Sequence, residues 1–270
     1  MVRTLLTGAT GTLGSALRPR LLEAGHDVRA ASRSPPTADD AVEWIEMDLV
    51  DGTGIEAAVS DVDVVVHAAT APTGDSEAVD VRGTERLLDA AAEAGVANFL
   101  YPSIVGVDEI PLSYYEDKLA AERAVKASDV PWTIVRATQF HEFLDELLGQ
   151  VSWLPVWPLP TEIRSQPIAV DEAADAIVEH ATPEAGGRVP EVGGPEVLTL
   201  GEIARSYRRA RGKRRLQLRL PVPGGAMAGF RAGEATCPDR TVGTTTWASW
   251  LDRRYGDDGA AGTESPASPS

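Results

Sequence analysis

The sequence predicts an α/β protein, a Rossmann-type doubly wound parallel sheet followed by a small C-terminal α/β region, and three observations carry that prediction. Apolar runs suited to strands alternate with helical patterns through the first half, as a parallel sheet covered on both faces requires. The first run, Val2-Arg3-Thr4-Leu5-Leu6, breaks into Thr7-Gly8-Ala9-Thr10-Gly11-Thr12-Leu13-Gly14 and then into a helical pattern. A chain of 270 residues can bury one substantial core with a smaller appended region, and has no room for several independent domains.

Taken in order, strands are expected near 2–7, 27–32, 42–47, 62–68, 97–102 and 131–136, with helices near 11–24, 54–60, 75–95, 114–128 and 138–149. The helix over 75–95 places Val79, Val81, Leu87, Leu88 and Ala91 on its apolar side. Glu77, Arg82, Glu85 and Glu93 face solvent, and Gly95 ends it as a C-cap. After residue 150 the alternation becomes irregular. Pro155, Pro158 and Pro160 stand among Trp153 and Trp157, which reads as a loop or lid whose aromatics either wall a pocket or seal a core edge. Helices resume over Asp171–Ala181 and Thr199–Arg211, each begun by a residue suited to capping. Trp247 and Trp250 read as anchors of a last helix, with an interface role as the alternative. Residues 256–270, rich in Gly, Ala, Ser and Pro, read as a disordered tail, and Asp39 and Asp40 as solvated loop charges.

A formal charge of −16 opposes contact with nucleic-acid phosphates, so no nucleic-acid partner is expected. No apolar stretch approaches the roughly 18 residues of a membrane span, and Gly8 and Gly11 interrupt the one apolar N-terminal segment. The expectation is a cytoplasmic protein with neither signal peptide nor membrane partner, its oligomeric state left open. A single cysteine, Cys237, excludes an internal disulfide framework, and His26, His67, His141 and His180 lack metal-ligand spacing, so no metal is expected.

The glycine spacing G-x-x-G-x-x-G between a strand and a helix is the form of a dinucleotide cradle. Gly8 supplies the tight turn, Gly11 the close approach to a pyrophosphate, and Gly14 the close packing of helix on strand. The helix N-terminus offers unpaired N–H groups to the phosphates. At the end of the second strand, where an NAD site places an acid, stand Ser32 and Arg33. Their hydroxyl and guanidinium suit a 2′-phosphate, which favours NADP(H) and leaves NAD(H) open. Asp48 and Leu49 after the third strand, and His67-Ala68-Ala69-Thr70 after the fourth, continue the crevice along successive strand ends.

Tyr114-Tyr115-Glu116-Asp117-Lys118 puts Tyr114 and Lys118 four residues apart on one helix face. An ammonium beside a phenol is expected to lower its pKa from about 10 toward working pH. Tyr114 would then deliver a proton to a carbonyl oxygen as hydride reaches carbon, while Lys118 also holds the nicotinamide ribose. Tyr115 is the alternative pocket-facing residue. Ser103, at the preceding strand end, reads as a hydrogen bond to the substrate oxygen or as a turn former. His141, Phe143, Trp153 and Trp157 are the candidates for a substrate wall.

These residues resemble the short-chain dehydrogenase/reductase superfamily in its atypical, NmrA-like branch. The resemblance rests on Thr7–Gly14, Val81-Arg82-Gly83-Thr84, Ser103-Ile104-Val105-Gly106, Tyr114–Lys118 with Ala121-Glu122, and Trp132–Phe140. It continues through Gln166–Ala174 and Gly193-Gly194-Pro195-Glu196, covering about residues 1–255. It implies an NAD(P)-binding core over 1–150 and a substrate-binding extension over 151–255 integrated with it. Gly8, Gly11, Thr12, Leu13, Gly14, Arg33 and Lys118 match the family's cofactor positions, and Ala137, Thr138, Gln139 and Phe140 the segment beside the nicotinamide; Thr10, Ser32, Asp48, Leu49, Ala68 and Ala69 complete the expected cofactor set on the reading of the residues themselves. Two departures argue against sugar-nucleotide epimerisation. Only 10 residues separate Ser103 from Tyr114, and Ile104 stands where those epimerases carry a catalytic Ser or Thr. The reading that follows is an NADPH-dependent reductase of a small carbonyl or quinone-like substrate. The alternatives are a non-catalytic redox sensor or assembly protein of the same branch, and an isomerase or epimerase with bound cofactor.

Overall fold

In a computed structural model of the chain, residues 1–37, 42–212 and 216–256 are described. The strands are β1 (Arg3–Thr7), β2 (Asp27–Ser32), β3 (Glu43–Glu46), β4 (Val64–His67), β5 (Asn98–Ile104), β6 (Trp132–Ala137), β7 (Val156–Leu159), β8 (Arg164–Ser165), β9 (Gly187–Arg188), β10 (Leu198–Thr199) and β11 (Leu216–Arg219). The α-helices are α1 (Thr12–Glu23), α2 (Ile55–Val59), α3 (Thr84–Ala94), α4 (Ser113–Ala127), α5 (His141–Gln150), α6 (Val170–Val178), α7 (Leu200–Ala210), α8 (Gly225–Ala232) and α9 (Trp247–Tyr255).

Strands β1, β4, β5 and β6 are buried at nearly every residue, which suits the interior of a sheet covered on both faces. Seven strands pair in the order β3-β2-β1-β4-β5-β6-β9, all parallel. Side-chain alternation then sorts the apolar residues into two layers. Leu6, Val64, Val66, Leu100 and Val135 meet α1 and α6 on one face. Leu5, Val65, Phe99, Tyr101 and Ile134 meet α2, α3 and α4 on the other. Chain order reverses between β1 and β4, where Thr7 lies opposite His67, so the ligand crevice of such a sheet opens there at the carboxyl ends. A third cluster, built on Leu148, Trp157, Ile203, Tyr207, Trp247 and Leu251, holds α5, β7, α7 and α9 together.

The described structure corrects several local expectations. The helix expected over 75–95 is a π-helical turn, Glu77–Gly83, leading into α3, which ends at Gly95 in the left-handed region as expected. The wider turn buries Ala78, Asp80 and Gly83 and leaves Val81 only half-buried. Gly83 lies where a Cβ would come within 2.8 Å of the Leu49 Cβ. The helix expected from 138 starts at His141, because sheet-like bonds occupy the backbone before it: Thr138 N donates to Val192 O, and Ile168 N to Gln139 O. The stretch after 150 is not all loop, since β7 pairs in parallel with β11, a partner some 60 residues away. Helix α6 is capped at Ala169 by no side chain, so Asp171 is not its cap, whereas Thr199 and Glu202 form a complete capping box on α7. Trp247 is an anchor, its Nε1 donating to Ile203 O at 3.0 Å. Asp39, Asp40 and residues 257–270 of the expected tail lie outside the described residues.

Candidate functional site

The cradle follows β1. Gly8 sits at φ +62°, and a Cβ there would lie 2.6 Å from Ala69 N and 2.7 Å from Ala68 C, both backbone atoms that cannot move aside. A Cβ on Gly14 would strike Gly8 O and come 2.8 Å from Ala9 Cα. The turn closes through Gly11 N donating to Gly8 O at 2.9 Å. Helix α1 then begins with no side chain capping it, and Thr10, Gly11 and Thr12 are exposed beside Leu13. Uncapped N–H groups next to backbone stripped of side chains fit a pyrophosphate.

The other expected cofactor residues lie along the same crevice. Ala68 and Ala69 form the wall against Gly8. Ser32 closes β2, its hydroxyl accepting from Ser34 N at 3.2 Å, and Arg33 follows, exposed. Asp48 accepts from Val50 N at 2.7 Å, which fixes the turn after β3, and Leu49 is buried against Gly83. Ala137 and Thr138 continue β6 past the sheet, with Thr138 Oγ1 accepting from Gly194 N at 3.3 Å. Gln139 links Ser165, which donates to its Oε1 at 2.8 Å, to the Tyr115 hydroxyl, to which its Nε2 donates at 3.4 Å. Phe140 packs against the α1 and α6 layer.

Tyr114 and Lys118 stand on α4, whose place is fixed by a buried bidentate pair. Arg136 Nε and Nη2 on β6 each reach a Glu122 oxygen at 2.8 Å, and Arg136 Nη1 reaches Asp108 at 2.7 Å. The Tyr114 hydroxyl meets Thr70 Oγ1 at 2.7 Å, and Thr70 Oγ1 meets Asp80 Oδ1 at 2.6 Å. A carboxylate only accepts, so Thr70 spends its proton on Asp80 and Tyr114 donates to Thr70. Asp80 is buried and also accepts from Ala71 N at 2.9 Å. Lys118 Nζ lies 3.8 Å from the same Asp80 oxygen, donates to Pro102 O at 3.2 Å, and sits 4.2 Å above the Tyr101 ring.

This arrangement alters the expected electrostatics. Burial holds the Tyr114 hydroxyl well above the usual phenol range, with Asp80 adding and Thr70 opposing, so Lys118 does not draw it toward neutrality. Burial likewise pushes Tyr115 up to about 12 against its bond from Gln139, and it lowers the Lys118 ammonium, which Asp80 and Glu122 counter. Ser103 is not brought to Tyr114: it lies beside the Glu122 carboxylate, two helical turns farther along α4. Nor do the four wall candidates converge. His141 is buried against the stacked pair Trp247 and Trp250, with ring centroids 5.5 and 5.6 Å away. Phe143 faces outward, Trp153 is 74% exposed, and Trp157 is fully buried against Tyr207.

Sequence reasoning missed Asp80 and gave Thr70 a place in the cofactor crevice but none beside Tyr114. The signal was there: Asp80 lies four and seven residues before the buried Thr84 and Leu87, so a 3.6-residue period already places this acid on the buried side of the pattern. A second buried chain joins the cradle to this cluster. Thr84 Oγ1 donates to Asp80 O at 2.7 Å, so His67 Nε2 donates to Thr84 at 2.9 Å and His67 Nδ1 accepts from Thr7 at 2.7 Å. Burial, then the Lys118 charge, lowers His67 to about 3, so at neutral pH the imidazole is neutral and its Nδ1 is an acceptor. Burial alike lowers His141 to about 4.

Comparison with known proteins decides the family. The model described as NAD(P)H-binding matches residues 8–180, from the first cradle glycine through α6. The chain belongs to the NAD(P)H-binding family. Among curated relatives of this NAD(P)H-binding protein, the (4-alkanoyl-5-oxo-2,5-dihydrofuran-3-yl)methyl phosphate reductase of Streptomyces griseus is 30% identical over 222 residues, 77% of this chain and 74% of the relative. An uncharacterized protein of Mycobacterium tuberculosis is 30% identical over 159 residues, 58% of this chain; the chain spans only 17% of that longer relative. The NADPH-dependent quinone oxidoreductase of Escherichia coli, solved with NADPH, superposes with a TM-score of 0.78 at 20% identity over 93% of this chain and 99% of that one, a likeness of fold. No helix among the described residues is long and apolar enough to cross a membrane.

The two neutral histidines set an acid limit on stability. Their folded pKa values lie below the unfolded value near 6.5, so their contribution is complete above pH 6.5 and is lost as pH falls through 4 to 3. The expected loss between pH 7.5 and 4.5 is roughly 2–3 kcal/mol per histidine. Urea unfolding at the two pH values checks it: His141→Phe should show a smaller loss than the parent, and an identical loss would contradict the assignment.

Proposed function

We propose that this protein is an NADPH-dependent reductase of a small carbonyl or quinone-like substrate, with Tyr114 as general acid and Lys118 as its electrostatic partner. The observation that carries the reading is the Tyr114–Thr70–Asp80–Lys118 cluster, built at the strand ends beside the glycine cradle. Gly8, Gly11, Gly14 and the α1 N-terminus would hold the pyrophosphate, and Ser32 with Arg33 the 2′-phosphate. Bound NADPH supplies hydride.

At neutral pH Tyr114 keeps its proton, and its O–H turns from Thr70 to the substrate oxygen as negative charge grows there. The Thr70 hydroxyl, freed of its role as acceptor, swings from Asp80 to donate to the phenolate that remains. Lys118 offsets the charge of Asp80 and the phenolate together. The similarity to a reductase across three quarters of the chain supports this class of reaction.

A second reading, a nucleotide-dependent sensor without turnover, draws support from one feature: no serine or threonine of β5 reaches Tyr114, Ile104 instead packing with Tyr115. Assays of NADPH oxidation against a panel of small aldehydes, ketones and quinones separate the readings. A reductase consumes one NADPH per substrate reduced; an isomerase converts substrate with no net consumption; a sensor does neither.

A further inference from the structure

The chain's charge is distributed very unevenly. Residues 203–233 contain nine of its 25 basic residues and not one Asp or Glu, so all of the acidic excess lies elsewhere. Inside this stretch, Leu216-Gln217-Leu218-Arg219-Leu220 forms β11 and its exit, paired with β7 so that Leu216 lies opposite Val156 and Leu218 opposite Pro158. Paired residues share a face, and Trp157 and Leu159 on the other face are buried toward α7. The open face should therefore carry polar side chains. It carries Val156, Pro158, Leu216 and Leu218, the last two 67% and 55% exposed, with Leu220 exposed beyond them and Trp153 just before β7.

The arginines lie behind that face, on the α7 side, because Gln217 and Arg219 pair with Trp157 and Leu159 and share their face. Arg208 Nη2 donates to Gln217 Oε1 at 3.2 Å, which ties the last turn of α7 to β11; Arg205 and Arg209 are exposed along that helix, and Arg211 at its end donates to the Tyr207 and Tyr255 hydroxyls at 2.9 and 3.4 Å. Arg219 is exposed on β11 and pairs with Glu162 at 2.8 Å.

We propose that the open face of the β7/β11 sheet, with the arginines behind it, docks on an anionic phospholipid bilayer. Apolar side chains and a tryptophan enter the boundary of the acyl chains while guanidinium groups stay among phosphate headgroups, and long arginine stems span the difference in depth. Lack of a spanning helix bears on crossing a bilayer, not on lying against one. A second copy of the chain fits poorly, because a two-fold contact through this face would set arginine against arginine with no acid between 203 and 233 to neutralise them. A nucleic acid would leave the leucine face uncovered.

The test is flotation of the whole protein with vesicles of phosphatidylcholine containing about 30% phosphatidylglycerol, against phosphatidylcholine alone. The bound fraction should be at least roughly tenfold higher on the anionic vesicles and should fall steeply between low and high salt. Leu216→Asp with Leu218→Asp should return it to background with an unchanged circular dichroism melt, and Arg209→Gln with Arg211→Gln should weaken it and flatten its salt dependence. Equal binding to both vesicle types, or flotation of the Leu216→Asp/Leu218→Asp variant like the parent, would overturn the proposal. So would an absence of vesicle binding together with a dimer that Leu218→Asp dissociates, which would make a second copy the occupant.

Discussion

Tyr114→Phe is expected to lower turnover by roughly 10²–10⁴-fold while leaving nucleotide affinity within about twofold, because it deletes one oxygen and its proton without touching the cradle. The ring of Tyr114 packs with Tyr115, which in turn meets Phe230 of α8, and phenylalanine keeps that packing. What disappears is the donor to Thr70. Thr70 retains its bond to Asp80, so the buried carboxylate stays satisfied and the fold should tolerate the change. Steady-state kinetics on any substrate that the parent reduces, with NADPH affinity measured separately, check this. Retention of more than a tenth of the parent's turnover would move the acid role elsewhere, first to Tyr115.

Gly8→Ala is expected to abolish nucleotide binding and to destabilise the protein by roughly 2–4 kcal/mol. Two effects add. At φ +62° any L side chain is strained by about 1 kcal/mol, and the new Cβ would overlap Ala68 and Ala69 backbone that β4 holds in register with β1. Gly25→Ala serves as the control, since Gly25 has φ +85° with nothing within 4 Å of a Cβ and should show only the conformational part. Thermal melts of the two variants, with an NADPH titration of each, separate strain from collision. Equal destabilisation by both would contradict the crowding at Gly8.

The sheet was legible because its signals are local. The glycine spacing after β1, the doubly buried Val64–His67 run and the helix between Gly83 and Gly95 each lie within one short window, and each appears in the structure. The backbone geometry of the Gly8–Gly14 cradle was legible for the same reason. The Tyr114 side of the site was not. Asp80 is an acid within a buried helical stripe whose partners come from elsewhere in the fold, and Thr70 gains meaning only when that helix delivers Asp80 to it.

Aromatics mislead for a related reason. Trp153 and Trp157 sit in the same proline-rich stretch, yet one is exposed and the other fully buried, because pairing with β11 sets which face of β7 points inward. Likewise His141 becomes a core residue only through Trp247 and Trp250, more than a hundred residues later in the chain. Side-chain identity proposed these contacts; tertiary pairing disposed of them.

The central claim is that the Gly8–Gly14 cradle and Arg33 bind a phosphorylated nicotinamide nucleotide, and a direct titration of the purified protein tests it. NADPH, NADP+, NADH and NAD+ are each added while energy transfer from tryptophan or heat is followed. The account predicts saturable binding of NADPH and NADP+ at least roughly tenfold tighter than of their unphosphorylated counterparts, with Arg33→Ala erasing the difference. Failure of all four to bind would contradict it.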